Sequence, residues 1–140
     1  MKLNDYSYDE IREGSVFHFE KTITAEDVDN FAKLTGDINP LHMDESYAKS
    51  MKFKGRIAHG MLAGSLFSAL VGMLCPGKKS LYLSQSLNFR KPIPVNSEVT
   101  VRGIVKEKTG SVRMIVISTE IVIGNEVAIS GEAKVKVFGD

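Results

Sequence analysis

Asp37 and His42 stand five positions apart in the segment Phe31-Ala-Lys-Leu-Thr-Gly-Asp37-Ile-Asn39-Pro40-Leu-His42, on either side of an Asn-Pro turn. An acid and an imidazole held across a tight turn can reach one small molecule, such as a water. That is the minimal equipment for general acid–base chemistry, and histidine suits it because its charge changes near neutral pH. A second segment follows, Gly55-Arg-Ile-Ala-His59-Gly60-Met-Leu, which reads as a loop delivering the start of a helix. Backbone N–H groups at such a start favour negative charge. A proton-transfer pair and a site for a developing anion together suggest chemistry on a carbonyl.

The elements that must hold these groups are readable from spacing. Val16 to Ile23 reads as a first strand. Thr24 and Asp27 resemble a capping box. Val28, Phe31, Ala32 and Thr35 recur at helical intervals, and Gly36 fits the position just after a helix end. Asp37 therefore begins the turn that leaves a helix, and Pro40 stops that helix from continuing. Asn39 is expected to tie the turn through backbone hydrogen bonds, and a short helix is predicted over Glu45 to Ser50. Met61 to Cys75 is apolar on nearly every side, so a helix there must be wrapped by other structure. Its small residues, Ala63, Gly64, Ser68 and Gly72, allow close approach. The C-terminal part alternates in strand fashion around Leu81–Phe89, Val99–Val105, Val112–Ile123 and Val127–Val137, with turns at Thr109-Gly110 and Gly124-Asn125. Short turns between alternating strands imply antiparallel neighbours. The predicted architecture is α+β, with an antiparallel sheet curled around one long central helix.

Composition narrows the function. Residues 1–140 read as a single domain, large enough to bury roughly two-thirds of its unfolded surface. The formal net charge is +1, with both signs interspersed and no basic block, so no nucleic-acid or membrane partner is indicated. Cys75 is the single cysteine, which excludes a disulfide framework and fits a reducing cytoplasm. It reads as buried and inert. The N-terminus lacks the apolar core of a signal peptide. The uncharged stretch Ala58–Gly77 is broken by His59, glycines and serines, and reads as a core helix rather than a membrane span. His18 reads as a surface residue of a strand.

The two motifs, in this order and in this arrangement of elements, resemble the MaoC-like dehydratases, and within them the short (R)-specific enoyl-CoA hydratases. The match runs from about Ile11 to Phe138. It includes Phe31, Thr35-Gly36-Asp37-Ile-Asn39-Pro40-Leu-His42 and Ala48, then His59-Gly60-Met61-Leu62, Ser65-Leu66-Phe67-Ser68, Pro76-Gly77-Lys78 and Tyr82 to Phe89. The resemblance implies the hot-dog fold, a homodimer and an acyl-CoA thioester substrate, with no metal and no redox cofactor. It assigns catalysis to Asp37 and His42 and an oxyanion-binding N–H to Gly60. It puts Ser68 near the catalytic acid. Leu66, Leu70 and Val71 are expected to shape the acyl pocket, and Asn39, Pro40 and His59 to support the site. Lys78-Lys79 or Arg90-Lys91 would be candidates for the coenzyme A phosphates. The implied reaction is reversible hydration of a trans-2-enoyl-CoA to the (R)-3-hydroxyacyl-CoA. Dehydration of a thioester on acyl carrier protein uses the same chemistry. A non-catalytic acyl-CoA-binding module and, more weakly, a thioesterase are the remaining alternatives.

Overall fold

A computed structural model describes residues 1–139. Strand β1 (Val16–Ile23) leads into helix α1 (Ala25–Thr35). Thr24 starts α1: its hydroxyl accepts from the Asp27 N–H at 3.1 Å, while the Asp27 carboxylate accepts from the Thr24 N–H at 3.0 Å. Gly36 ends the helix at φ 82°, a backbone angle that glycine adopts without strain. Two short helices follow, α2 (Pro40–Met43) and α3 (Glu45–Ser50). The central helical run comprises α4 (Gly60–Ser65), α5 (Phe67–Ala69) and a π-helical turn, Leu70–Leu74. It is interrupted at Leu66, whose N–H bonds back three residues to the Ala63 carbonyl. The Ser65 hydroxyl donates to the Leu62 carbonyl at the same place, competing with the backbone for that acceptor.

The remaining strands are β2 (Ser80–Gln85), β3 (Asn88–Phe89), β4 (Ser97–Thr109), β5 (Met114–Ile123) and β6 (Glu126–Val137). They form one antiparallel sheet in the order β1-β4-β5-β6-β2, with β3 also on β6. Burial alternates along most of the long strands, broken where Ile115–Ile117 and the pair Ala128 and Ile129 are buried in succession beside register shifts at Val105/Glu107 and Ile121/Val122. Val99, Val101, Val105, Ile115, Ile117, Ile121, Ala133, Val135 and Val137 face inward and are buried. They pack against Phe67, Leu70 and Val71 of the central run in two adjoining clusters. This is the hot-dog fold: a sheet curled around a central helix.

The central helix is not wrapped on all sides by its own chain. Met61, Ser65 and Ser68 are exposed along one stripe. The strand at the sheet's end is also apolar outward: Tyr82 is half-buried, whereas Leu81 and Leu83 are exposed. Composition reports that a segment is apolar but not whether its own chain or a second one covers it.

Candidate active site

The Asp37–His42 turn is held by its own side chains. Thr35 donates its hydroxyl to the Phe31 carbonyl at 2.8 Å and accepts the Asp37 N–H at 3.2 Å. Asp37 accepts the Asn39 N–H on Oδ1, and Asn39 accepts the Leu41 N–H, capping α2 with Pro40 in its first turn. This chain of side-chain-to-backbone bonds fixes the turn and leaves the Asp37 carboxylate half-exposed. His42 sits on α2. Its Nδ1 lies 2.8 Å from the Ile57 carbonyl. A carbonyl only accepts, so Nδ1 carries the proton and Nε2 of the neutral ring is a free acceptor.

The loop 55–59 supplies the other half. His59 is buried, and its Nε2 donates to the Asp37 backbone carbonyl at 3.0 Å. Its ring stacks on His42 with centroids 3.9 Å apart and touches Phe31 at 4.9 Å. One buried imidazole thus touches the chain segments of both candidate catalytic residues. Arg56 donates through Nε to the His42 carbonyl and through Nη2 to Asp29 Oδ1 at 2.6 Å, tying α2 to α1. Reading the sequence missed Arg56, Asp29 and the Ile57 carbonyl. Arg56 follows Lys52 and Lys54 in one basic stretch, and nothing in that stretch marks it as the cation that turns inward. No spacing rule reaches Asp29, 27 residues away.

Side-chain atoms of Asp37, His42 and His59 lie within 4.8 Å of one another. That gap suits a bridging water.

His42 and Gly60 line a cavity of about 370 Å³, together with Ile57, Met61, Phe89 and Pro92. Gly60 is the first residue of α4, so its N–H has no intrahelical acceptor. Phe89 crowds it: a β-carbon on Gly60 would come within 2.8 Å of the Phe89 ring. Gly64 is approached in the same way by Leu87, at 3.0 Å. Glycine permits both contacts, which sequence spacing did not reveal. A second cavity of about 360 Å³ lies between α1 and α4, lined by Phe31, Leu34, Leu62, Ser65 and Leu66.

The other expected site residues divide. Leu66 lines the second cavity. Leu70 and Val71 are each 1% exposed and locked in the core, so within one chain they border neither cavity. Their helical phase turns them toward the sheet, where Leu70 fills the space above Gly103. Ser68 is exposed, about 12 Å of helix away from Gly60, and borders neither cavity. Lys78 and Lys79 follow the opposite end of the central run from Gly60, and Lys79 pairs with Asp5. Arg90 and Lys91 do line the first cavity, but Arg90 donates to Ser130 and Lys91 pairs with Glu126. Burial pushes the Cys75 thiol up to about 12, which keeps it protonated and unreactive.

The family model described as "MaoC like domain" matches residues 9–126. An (R)-specific enoyl-CoA hydratase of Rhodospirillum rubrum is 40% identical over 134 residues, covering 93% of this chain and 90% of that protein. A 3-hydroxybutyryl-CoA dehydratase of Methylorubrum extorquens is 38% identical, covering 93% and 83%. Among solved structures, an (R)-hydratase from A. caviae involved in PHA biosynthesis superposes with a TM-score of 0.89 at 40% identity, covering 91% of this chain and 98% of that one.

Proposed function

Since the chain belongs to the MaoC-like domain family, we propose that it is an (R)-specific enoyl-CoA hydratase, a hydro-lyase that adds water across the double bond of a trans-2-enoyl-CoA and reverses the same step. The observation that carries this reading is the placement of His42: its Nδ1 lies 2.8 Å from the Ile57 carbonyl, and a ring nitrogen lies within 4.8 Å of the Asp37 carboxylate. With Nδ1 donating to Ile57, Nε2 is left as the acceptor for a water. The substrate carbonyl sits at the Gly60 N–H. Asp37 and His42 hold one water between them. As its oxygen bonds to C3, one of its protons passes to the pair, and electron density moves through the conjugated system onto the carbonyl oxygen. The Gly60 N–H stabilises that charge, a contribution of about 3 kcal/mol for one oxyanion donor. C2 then takes a proton from the pair, which returns to its starting state. No electron is transferred to or from the substrate, and the chemistry asks for no metal or redox group.

The protein is further proposed to act as a homodimer in the cytoplasm. Leu34 and Ile38 are 83% and 71% exposed beside the site, and the end strand β2 presents Leu81 and Leu83 outward. A second copy of the chain is the partner that would cover this face and the free strand edge. No helix of the described residues is long and apolar enough to cross a membrane.

The test is purified protein with crotonyl-CoA, following loss of the conjugated thioester absorbance, with chiral analysis of the alcohol. Turnover to the (R) product is expected. Tight acyl-CoA binding without turnover would instead identify a binding module, and activity confined to acyl-carrier-protein thioesters would move the protein to fatty-acid synthesis. Light scattering should show a dimer; a fully active monomer would refute the assembly.

A further inference from the structure

The catalytic cavity does not end at Ile57 and Pro92. The same two residues also line a second hollow of about 260 Å³, bordered by Lys52, Phe53, Lys54, Gly55 and Pro94. The two hollows therefore adjoin at Ile57 and Pro92, and a ligand passing over these two residues would follow a track from His42 into the second. From Ile57 it is three residues to Lys54 and five to Lys52, at most about 10 and 18 Å of chain. An extended thioester arm anchored at Gly60 can cover such a distance.

The cations along this track differ in what they already do. Arg90 donates to Ser130 at 2.8 Å, Lys91 lies 2.7 Å from Glu126, and Arg56 is committed to Asp29 and the His42 carbonyl. The nearby acid, Glu45, is also occupied: it accepts the Arg56 N–H at 3.1 Å and lies 3.7 Å from Lys49. Lys52 and Lys54 are exposed and, among the described residues, in no ion pair. Nor is their loop loose. The N–H groups of Met51 and Phe53 both bond to the Ala48 carbonyl, that of Lys52 bonds to Lys49, and Lys52 is fixed at φ 73°. Two uncommitted ammonium groups on a tied turn, at the mouth of a mostly apolar track, form a ready anion site.

We propose that Lys52 and Lys54 bind the phosphates of the coenzyme A carrier, with the pantetheine arm lying along the track past Ile57 and Pro92. The proposal rests on the hydratase reading for the identity of the thioester and assigns the polar end of the substrate to residues outside the family motifs.

The test compares wild type with the double variant Lys52→Gly/Lys54→Ala; glycine suits the positive φ at 52, so the turn is kept. The substrates are crotonyl-CoA and crotonyl-pantetheine, which lacks phosphate, and calorimetry measures binding of coenzyme A itself. The double variant should raise KM for crotonyl-CoA about 5- to 30-fold with kcat nearly unchanged. It should weaken coenzyme A binding in proportion and leave the kinetics with crotonyl-pantetheine as they were. Wild-type kcat/KM for crotonyl-CoA should fall with salt more steeply than that of the variant. Unchanged coenzyme A binding in the double variant overturns the proposal, as does an equal loss with crotonyl-pantetheine, or an effect that follows Lys78→Ala instead. A protein that turns over no enoyl thioester, yet loses coenzyme A affinity with the two lysines, refutes the hydratase reading and leaves the phosphate site standing.

Discussion

The two halves of the central helix have similar composition and opposite surroundings. From Gly60 to Leu66 it runs between two cavities, its glycines are pressed by Phe89 and Leu87, and Met61 and Ser65 face outward. From Phe67 to Cys75 its sheet-facing side is sealed: Phe67, Leu70, Val71 and Cys75 are each 1% exposed, and Ser68 alone of this half is exposed. The N-terminal segment closes that end, with Asn4 donating to the Met73 and Leu74 carbonyls. The open half can accept a ligand, while the sealed half supplies the rigidity against which the ligand is positioned. Substitutions in or beside the open half should therefore change chemistry more than stability, and those in the sealed half the reverse.

The largest effect is expected at the turn facing the open half. Asp37→Asn or His42→Ala should each lower kcat by about 100- to 10,000-fold. The double variant should lose far less than the product of the two, because both act on one water. The melting temperature should move little, since Asp37 is half-exposed and its Oδ1 bond to Asn39 survives in Asn. Single-turnover kinetics and thermal melts of the same samples check both halves of the statement. A single variant that retains most of its activity would remove that residue from the proton path.

Next in size is Gly60. Replacement by proline deletes its N–H while remaining acceptable in the first turn of a helix. Any β-carbon there also meets Phe89 at 2.8 Å, so Gly60→Ala is the control that keeps the donor and suffers the same collision. Proline should lower kcat about 100- to 1,000-fold relative to alanine, with a smaller change in KM because the charge develops mainly in the transition state. Equal rates in folded proline and alanine variants would place the oxyanion contact elsewhere.

The sealed half is tested with Leu70 against Leu66. Leu70→Ala opens a hole above Gly103 and should cost about 2–5 kcal/mol in denaturant unfolding, with kcat per folded molecule largely kept. Leu66→Ala should cost less stability and instead shift the preferred acyl chain length, since Leu66 borders the second cavity. A specificity change from Leu70→Ala as large as that from Leu66→Ala would abolish the distinction between the halves.

That distinction was not readable from the sequence, although much else was. Local rules worked where the cause is local. The Thr24 cap, Gly36, β1 and the long β4–β5–β6 strands follow from capping chemistry and period-two burial. The turn bearing Asp37 and His42 declares itself through Asn-Pro. What escaped depends on tertiary packing. Leu66 and Leu70 differ by one helical turn and carry the same side chain, yet one borders a cavity and the other fills the core. The break at Leu66 rests on one serine hydroxyl and an i−3 bond. Arg56 and Asp29 meet across 27 residues, a separation that no spacing rule spans.

The smallest effect concerns α1, which walls the second cavity from the other side. Asp27 is held below the usual carboxylate value of 3.8 chiefly by accepting the Thr24 N–H, with Lys21 at 3.2 Å adding to the shift. A carboxylate whose folded pKa is depressed adds stability above its unfolded pKa, and that contribution is lost as pH falls through the folded value. Thr24→Ala, which removes the reciprocal bond, should cost about 0.5–2 kcal/mol at neutral pH. Asp27→Asn should make the protein less stable at neutral pH, and its deficit against wild type should shrink as pH drops below the ordinary aspartate range. The cap lies at the far end of α1 from Asp37, so kcat should stay within about twofold in both variants. Urea unfolding from pH 7 down to pH 3 measures the deficit; a constant gap across that range would mean that the cap does not couple to the ionisation of Asp27.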